Sequence, residues 1–305
     1  MRIVIAIGGN ALLKRGEPLS AENQARNMAM SAVGLAQICK GHQVAIVHGN
    51  GPQVGLLALQ SSAYKATKLY PLDVLGAESQ GMIGYVIAQA MRAEIPAREI
   101  VSIVTRTIVD RYDPAFDRPT KPIGPIYTTA EVAELSLTCD WAFGADGSHM
   151  RRVVPSPEPA EIVELAAIER LMAAGVLTIC AGGGGIPVIQ VEPTGPKGKL
   201  AGVEAVIDKD RGAALLATRL AADRLIILTD VDGVFADWGG PAQHLLGKVS
   251  VAKLRDLSFA EGSMAPKVEA ACRFATETGN PVAIGNLQTA AAVMAGSAGT
   301  QIGLT

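Results

Sequence analysis

The chain has 305 residues, 49% of them apolar and 18% charged, enough to bury a sizeable core and too hydrophobic for disorder. Its formal net charge of -2 supplies no basic field for nucleic acid or for an anionic membrane surface. The four cysteines, Cys39, Cys139, Cys180 and Cys272, lie far apart and form no C-x-x-C pair, so neither a disulfide framework nor a zinc site is indicated.

In chain order, short β-branched runs recur and end near Gly, Asn or Asp: IVIAIGGN (3–10), VAIVHGNG (44–51), IVSIVTRT (100–107), VLTICAGGGG (176–185), LIILTDVDG (225–233) and PVAIGN (281–286). Continuous apolar runs of this length suit strands buried on both faces. Helical patterns separate them over residues 20–40, 76–95, 158–175, 211–222, 248–257 and 265–279. Gly41 and Gly175 are expected stops, and Pro159 an expected helix start. The alternation predicts an α/β fold with a mostly parallel sheet. The opening apolar run is too short for a signal peptide, and no run reaches membrane-spanning length. The cytoplasm is the expected compartment.

The proline-rich stretch 111–128, RYDPAFDRPTKPIGPIYT, breaks the alternation and predicts an insertion or lid reaching to about residue 150. Lys121 sits there between prolines. It reads as an anion clamp or as an ordinary solvated lysine.

Ligands of open α/β sheets bind beyond the carboxyl ends of the strands. Gly8, Gly9 and Asn10, Gly49, Asn50 and Gly51, and the run Gly182 to Gly185 would gather at that edge. Each cluster alone reads as a turn. Together they read as an anion site made of backbone N–H groups and helix N-termini. No P-loop spacing is present, GNGPQV (49–54) lacks the full dinucleotide fingerprint, and no G-x-S-x-G elbow occurs. Two lysines stand at predicted strand–helix joints, Lys209 in VIDKDRGA and Lys267 in SMAPKVEA. A cation is unfavourable at a helix N-terminus unless an anion is near. Asp210 reads as a helix cap or as part of a phosphate site. Positive charge and N–H donors converging on one point suit phosphoryl transfer.

The segments VEAVIDKD, SMAPKVEAA, IGGNAL, HGNGPQVG, RPTKPIGPIY, RRVVPSP and GGGGIPV together resemble carbamate kinases of the amino acid kinase superfamily, over nearly the whole chain. The resemblance implies a three-layer αβα sandwich around a mostly parallel open sheet, spanning 1–305 as one domain. A carbamoyl phosphate lobe would cover about 1–190, with a lid at about 111–150, and a nucleotide lobe about 191–305. It implies reversible phosphoryl transfer between carbamoyl phosphate plus ADP and carbamate plus ATP, ATP-forming in catabolism of arginine or related compounds, in a homodimer. Lys209 and Lys267 would contact the moving phosphoryl group, with Asp210 orienting both. Gly8, Gly9, Asn10, Gly49, Asn50, Gly51 and Lys121 would bind carbamate or its phosphate. Thr229, Asp230, Val231, Asp232, Gly233, Phe235, Met264 and Lys267 would contact nucleotide. Mg²⁺ would be held mainly by the nucleotide phosphates, with no ligand from protein side chains. Arg211 stands where the family usually has an apolar residue, and Gly233 and Phe235 where tyrosines are common. The rival expectations are a sister kinase with a larger acceptor pocket and a non-catalytic nucleotide sensor.

Overall fold

A computed structural model of the chain describes residues 1–9, 12–14, 16–64, 69–146, 149–191, 198–259 and 264–305. Strand β1 (Arg2–Ile7) leads into α1 (Ala21–Cys39), and β2 (Gln43–His48) into α2 (Gly51–Tyr64) and α3 (Leu72–Glu94). Two short strands come next, β3 (Ile100–Ser102) and β4 (Arg106–Val109), then β5 (Lys121–Tyr127), α4 (Thr129–Leu135), β6 (Ala142–Asp146) and β7 (His149–Val154). The chain returns through β8 (Pro159–Ile162), α5 (Leu165–Ala173), β9 (Leu177–Ile179), β10 (Ile186–Gln190) and β11 (Leu200–Gly202). The last third holds α6 (Lys209–Arg219), β12 (Arg224–Thr229), β13 (Phe235–Ala236), β14 (His244–Leu245), β15 (Lys248–Ser250) and α7 (Val251–Arg255). It closes with α8 (Ala265–Thr278), β16 (Val282–Asn286), α9 (Ala290–Ala295) and β17 (Thr300–Gly303).

Among the described residues, eight strands form the main sheet in the order β15-β17-β16-β12-β1-β2-β9-β3. Its pairs are parallel except β16 with β17. Successive residues of a strand face opposite sides, and here both sides are apolar. Ile3, Ile5 and Ile7 of β1 pack with Met28 and Leu35 of α1 and with Ile83 and Ile87 of α3. Val4 and Ala6 pack on the other side with Ala213 and Ala217 of α6 and Phe274 of α8. Two cores back to back on one sheet make the αβα sandwich. The helix ends reflect local chemistry. Ser20 caps α1 by accepting from Asn23 N, and α8 ends at Gly279 in the left-handed region at φ 74°.

The end of the proline-rich stretch and the residues up to Val154 form their own antiparallel sheet, β5-β7-β6, with α4 beside it. Three expectations are corrected. Residues 158–175 are not one helix. Pro159–Ile162 pair antiparallel with β4, and Arg106 holds the Glu164 carboxylate through N–H contacts of 2.7 and 2.8 Å, so α5 starts only at Leu165. Residues 100–107 are not one strand. Thr105 N donates to Gln80 Oε1 at 2.8 Å, and the chain crosses there from the main sheet to the β11-β10-β4-β8 sheet. Residues 248–250 are a strand, and Ser250 caps α7 only after it.

Candidate active site

The parallel ladder sets the glycines side by side. Gly8 N donates to Leu228 O at 3.0 Å, and Gly49 N donates to Ile7 O at 3.1 Å. Gly8 therefore lies against the end of β12, and Gly49 against the end of β1. A Cβ on Gly49 would stand 3.1 Å from Lys209 Cδ and 3.3 Å from Gly9 N. The stem of Lys209 thus runs directly over this glycine pair. Gly51 opens α2, whose free N–H groups point to the same edge. Asn50 is buried, and its Nδ2 donates to Ser79 Oγ of α3 at 2.9 Å. Asn10 lies outside the described residues.

The run Gly182 to Gly185 lies on this edge too, and its visible task is close packing. Gly183 has φ +65°, and a Cβ there would meet Asn50 Nδ2 at 2.3 Å. A Cβ on Gly212 of α6 would meet Gly184 Cα at 2.6 Å. These absent side chains let α6 approach the end of β9. Beneath them, His48 is buried with its Nδ1 3.1 Å from Gly49 O, and burial pushes its pKa down to about 4.

The opening charges of α6 are the polar centre of this edge. Asp208, not Asp210, caps the helix: its Oδ1 accepts from Asp210 N at 2.8 Å and from Arg211 N at 3.4 Å. Its other oxygen forms an ion pair with Lys121 Nζ, which β5 brings across. Asp210 is left to another task. Its buried carboxylate lies 2.8 Å from Lys209 Nζ and 3.3 Å from Lys267 Nζ. Pro266 helps start α8, which places Lys267 in its first turn.

Buried charges must be paired, and the pairing here is uneven. Burial works against the Lys209 ammonium, but Asp210 and Asp208 outweigh it and raise its pKa. Burial and then the charge of Lys209 lower the Lys267 pKa, against the pull of Asp210. Burial alone would raise the Asp208 pKa, but Lys121 and Lys209 hold it well below the usual carboxylate range.

The expected nucleotide contacts lie beyond the ends of β12 and β16. Thr229 ends β12, and its hydroxyl donates to Asp230 Oδ1 at 3.0 Å. Asp230 and Asp232 are exposed, Val231 is half-buried, and Asp232 Oδ1 accepts from Asn286 Nδ2 at 3.1 Å. Gly233 is buried, and a Cβ there would meet Thr300 Oγ1 at 2.8 Å, which explains why this chain has no side chain at that position. Phe235 stacks edge-on with Trp238, ring centres 5.2 Å apart. Met264 precedes α8 and packs against the α6–α8 side of the core. Gly8 joins the two halves, since a Cβ there would lie 3.9 Å from Thr229 Cα.

Sequence reasoning offered Asp210 as the helix cap and did not single out Ser79 or His48. For Asp208 a signal existed, an aspartate directly before a helical run. Ser79 carried none, because its partner Asn50 comes from a distant segment, and His48 carried none, because it reads as the last residue of an apolar strand.

The sequence matches the amino acid kinase family over residues 1–286. It is 50% identical over 303 residues to a carbamate kinase of Haemophilus influenzae, covering 99% of this chain and 96% of that one. The fold superposes on a carbamate kinase of Giardia lamblia bound to citric acid with a TM-score of 0.92 at 40% identity, covering 99% and 98% of the two chains. The same Giardia enzyme bound to AMP-PNP gives a TM-score of 0.88 at 40% identity and the same coverage.

Proposed function

The chain belongs to the amino acid kinase family, among its carbamate kinases, and from that premise we propose that it moves a phosphoryl group reversibly from carbamoyl phosphate to ADP, leaving carbamate and ATP. The observation that carries this reading is the convergence of Lys209, Lys267 and Lys121 on two buried carboxylates beside the glycine edge. Three cations at one point suit a group whose charge spreads over its equatorial oxygens as it moves.

In this reading Gly8, Gly9, Asn10, Gly49, Asn50 and Gly51 cradle carbamoyl phosphate. Lys121 closes over it from a lid at about 111–150. Lys209 and Lys267 neutralise the moving phosphoryl group and Asp210 aims them. Thr229, Asp230, Val231, Asp232, Gly233, Phe235 and Met264 line the nucleotide side; that a Giardia relative binds AMP-PNP supports nucleotide binding by this chain. The lobes divide at about residue 190. Carbamate and the ADP β-phosphate are ionised at neutral pH, so the step needs no general base.

Magnesium would neutralise nucleotide phosphate charge. Asp208 and Asp210 are engaged by N–H and ammonium donors, which suits a cation held mainly by phosphate oxygens. The ATP-forming direction stems from the mixed anhydride of carbamoyl phosphate and would serve catabolism of arginine or related compounds. We place this activity in the cytoplasm, in a homodimer. Among the described residues no helix is long and apolar enough to cross a membrane.

The test is ATP formation from ADP, Mg²⁺ and carbamoyl phosphate, read through hexokinase, beside acetyl phosphate and an enzyme-free blank. Rapid ATP formation that vanishes in Lys209→Ala is the expected result. No ATP above the blank while ADP still binds would point to another acceptor or to a nucleotide sensor.

A further inference from the structure

We infer that Glu158 and Arg211 are positioning residues that tie the base of the lid to the two helices bearing Lys209 and Lys267. The inference rests on the lid reading of residues 111–150 given above.

Glu158 stands at the foot of the strand that carries the lid home. Lys121 pairs with Val154 across β5 and β7, four residues earlier. The backbone N of Glu158 donates to Asp113 Oδ2 at 2.8 Å, so the outgoing and returning arms are pinned together. The Glu158 carboxylate then reaches both helices. Oε2 lies 3.1 Å from Arg211 Nη1 of α6, and Oε1 pairs with Arg273 Nη1 of α8. Arg211 continues to Glu269 of α8 at 2.9 Å, and Arg273 to Glu277 at 3.1 Å. Arg211 comes two residues after Lys209, and Glu269 two after Lys267.

One residue therefore meets both ends of the lid. The backbone N–H of Arg211 bonds to Asp208 Oδ1, and the other oxygen of Asp208 receives Lys121. The Arg211 guanidinium holds Glu158 at the base. Beside these pairs lies a cavity of about 640 Å³, lined by Asp110, Tyr112, Leu215, Arg219 and Glu158 among others. Ion pairs join the base of the lid to α6 and α8 across this rim. Exposed single pairs contribute little to stability. Their geometry instead fixes where the lid stands when Lys121 meets Asp208.

The test compares Arg211→Leu, Glu158→Gln, the double variant and Arg211→Lys in the ATP-forming assay, with Lys121→Ala as the lid control. Arg211→Leu and Glu158→Gln are expected to raise KM for carbamoyl phosphate about fivefold, with KM for ADP within about twofold. The double variant should be no worse than either single one, and Arg211→Lys should recover part of the loss. A simple loss of fold would lower kcat per mole of protein, leave both KM values unmoved and not be rescued, and that result overturns the inference. If Lys121→Ala raises the carbamoyl phosphate KM while the Glu158 and Arg211 variants do not, the inference fails and the lid stands. If Lys121→Ala also leaves that KM unmoved, the lid reading fails and takes the inference with it.

Discussion

The Lys209 ammonium lies 2.8 Å from both carboxylate oxygens of Asp210, its immediate neighbour in the chain. Side chains of adjacent helical residues normally diverge. Here Lys209 is the first residue of α6, and its stem turns back across Gly49. That path keeps the ammonium at the glycine edge.

Removing either site lysine should strike the chemical step. Lys209→Ala and Lys267→Ala are each expected to lower kcat by about 10²–10³, the range for losing one preorganised donor. Steady-state ATP formation measures this. A loss below about threefold in both variants would remove them from the catalytic role.

Lys121→Ala should separate the two substrates. It removes the contact that β5 makes with Asp208 and leaves the ends of β12 and β16 untouched. Carbamoyl phosphate use should weaken while ADP affinity holds. Isothermal titration with ADP reads the second half, and a large drop there contradicts the lid role.

Asp210→Asn should alter the pH profile as well as the rate. Lys267 already has a lowered pKa, through burial and the charge of Lys209, with Asp210 opposing. Activity that needs its ammonium falls as pH rises through that pKa. Taking away the opposing carboxylate lowers the pKa further, so the alkaline limb of kcat should move to lower pH. An alkaline limb that stays in place would show that Asp210 does not govern Lys267.

Gly55 of α2 faces Gly124 of β5 so closely that a Cβ would stand 1.8 Å from Gly124 Cα. Both partners are backbone, so no side chain can yield. Gly55→Ala should lift β5 off α2 and raise KM for carbamoyl phosphate, with ADP binding kept. Unchanged KM values would mean that β5 need not rest on α2 during turnover.

His48 should make stability pH-dependent. Its folded pKa of about 4 lies below the ordinary 6.5. The contribution is full above 6.5, where the unfolded chain is neutral too. It falls as pH drops toward 4, because only the unfolded chain takes the proton. Between pH 7 and pH 5 the loss is about 2 kcal/mol. Thermal melts of wild type and His48→Asn should converge as pH falls through this window. Parallel curves would rule His48 out as the source.

The main sheet was legible because its strands are apolar on both faces, and the Gly and Asp residues at their ends marked the ligand edge. The region 158–175 misled because the amphipathic repeat of α5 runs back into Pro159–Ile162, whose state is set by pairing with β4. Lys209, Asp210 and Lys267 could be picked out as charges interrupting apolar sequence. Their mutual distances could not, since α6 and α8 are 57 residues apart at that contact. The cap was assigned to Asp210, two residues late, because Asp208 and Asp210 are alike in type; the N–H groups of Asp210 and Arg211, both turned to Asp208 Oδ1, tell them apart.

Among the described residues, three ammoniums (Lys121, Lys209, Lys267) share two carboxylates (Asp208, Asp210). A phosphate arriving here finds each cation already engaged by a carboxylate. It must compete for them. The bound ground state is thereby kept from being too tight, and the fuller attraction is held back for the moment when the phosphoryl group is in flight.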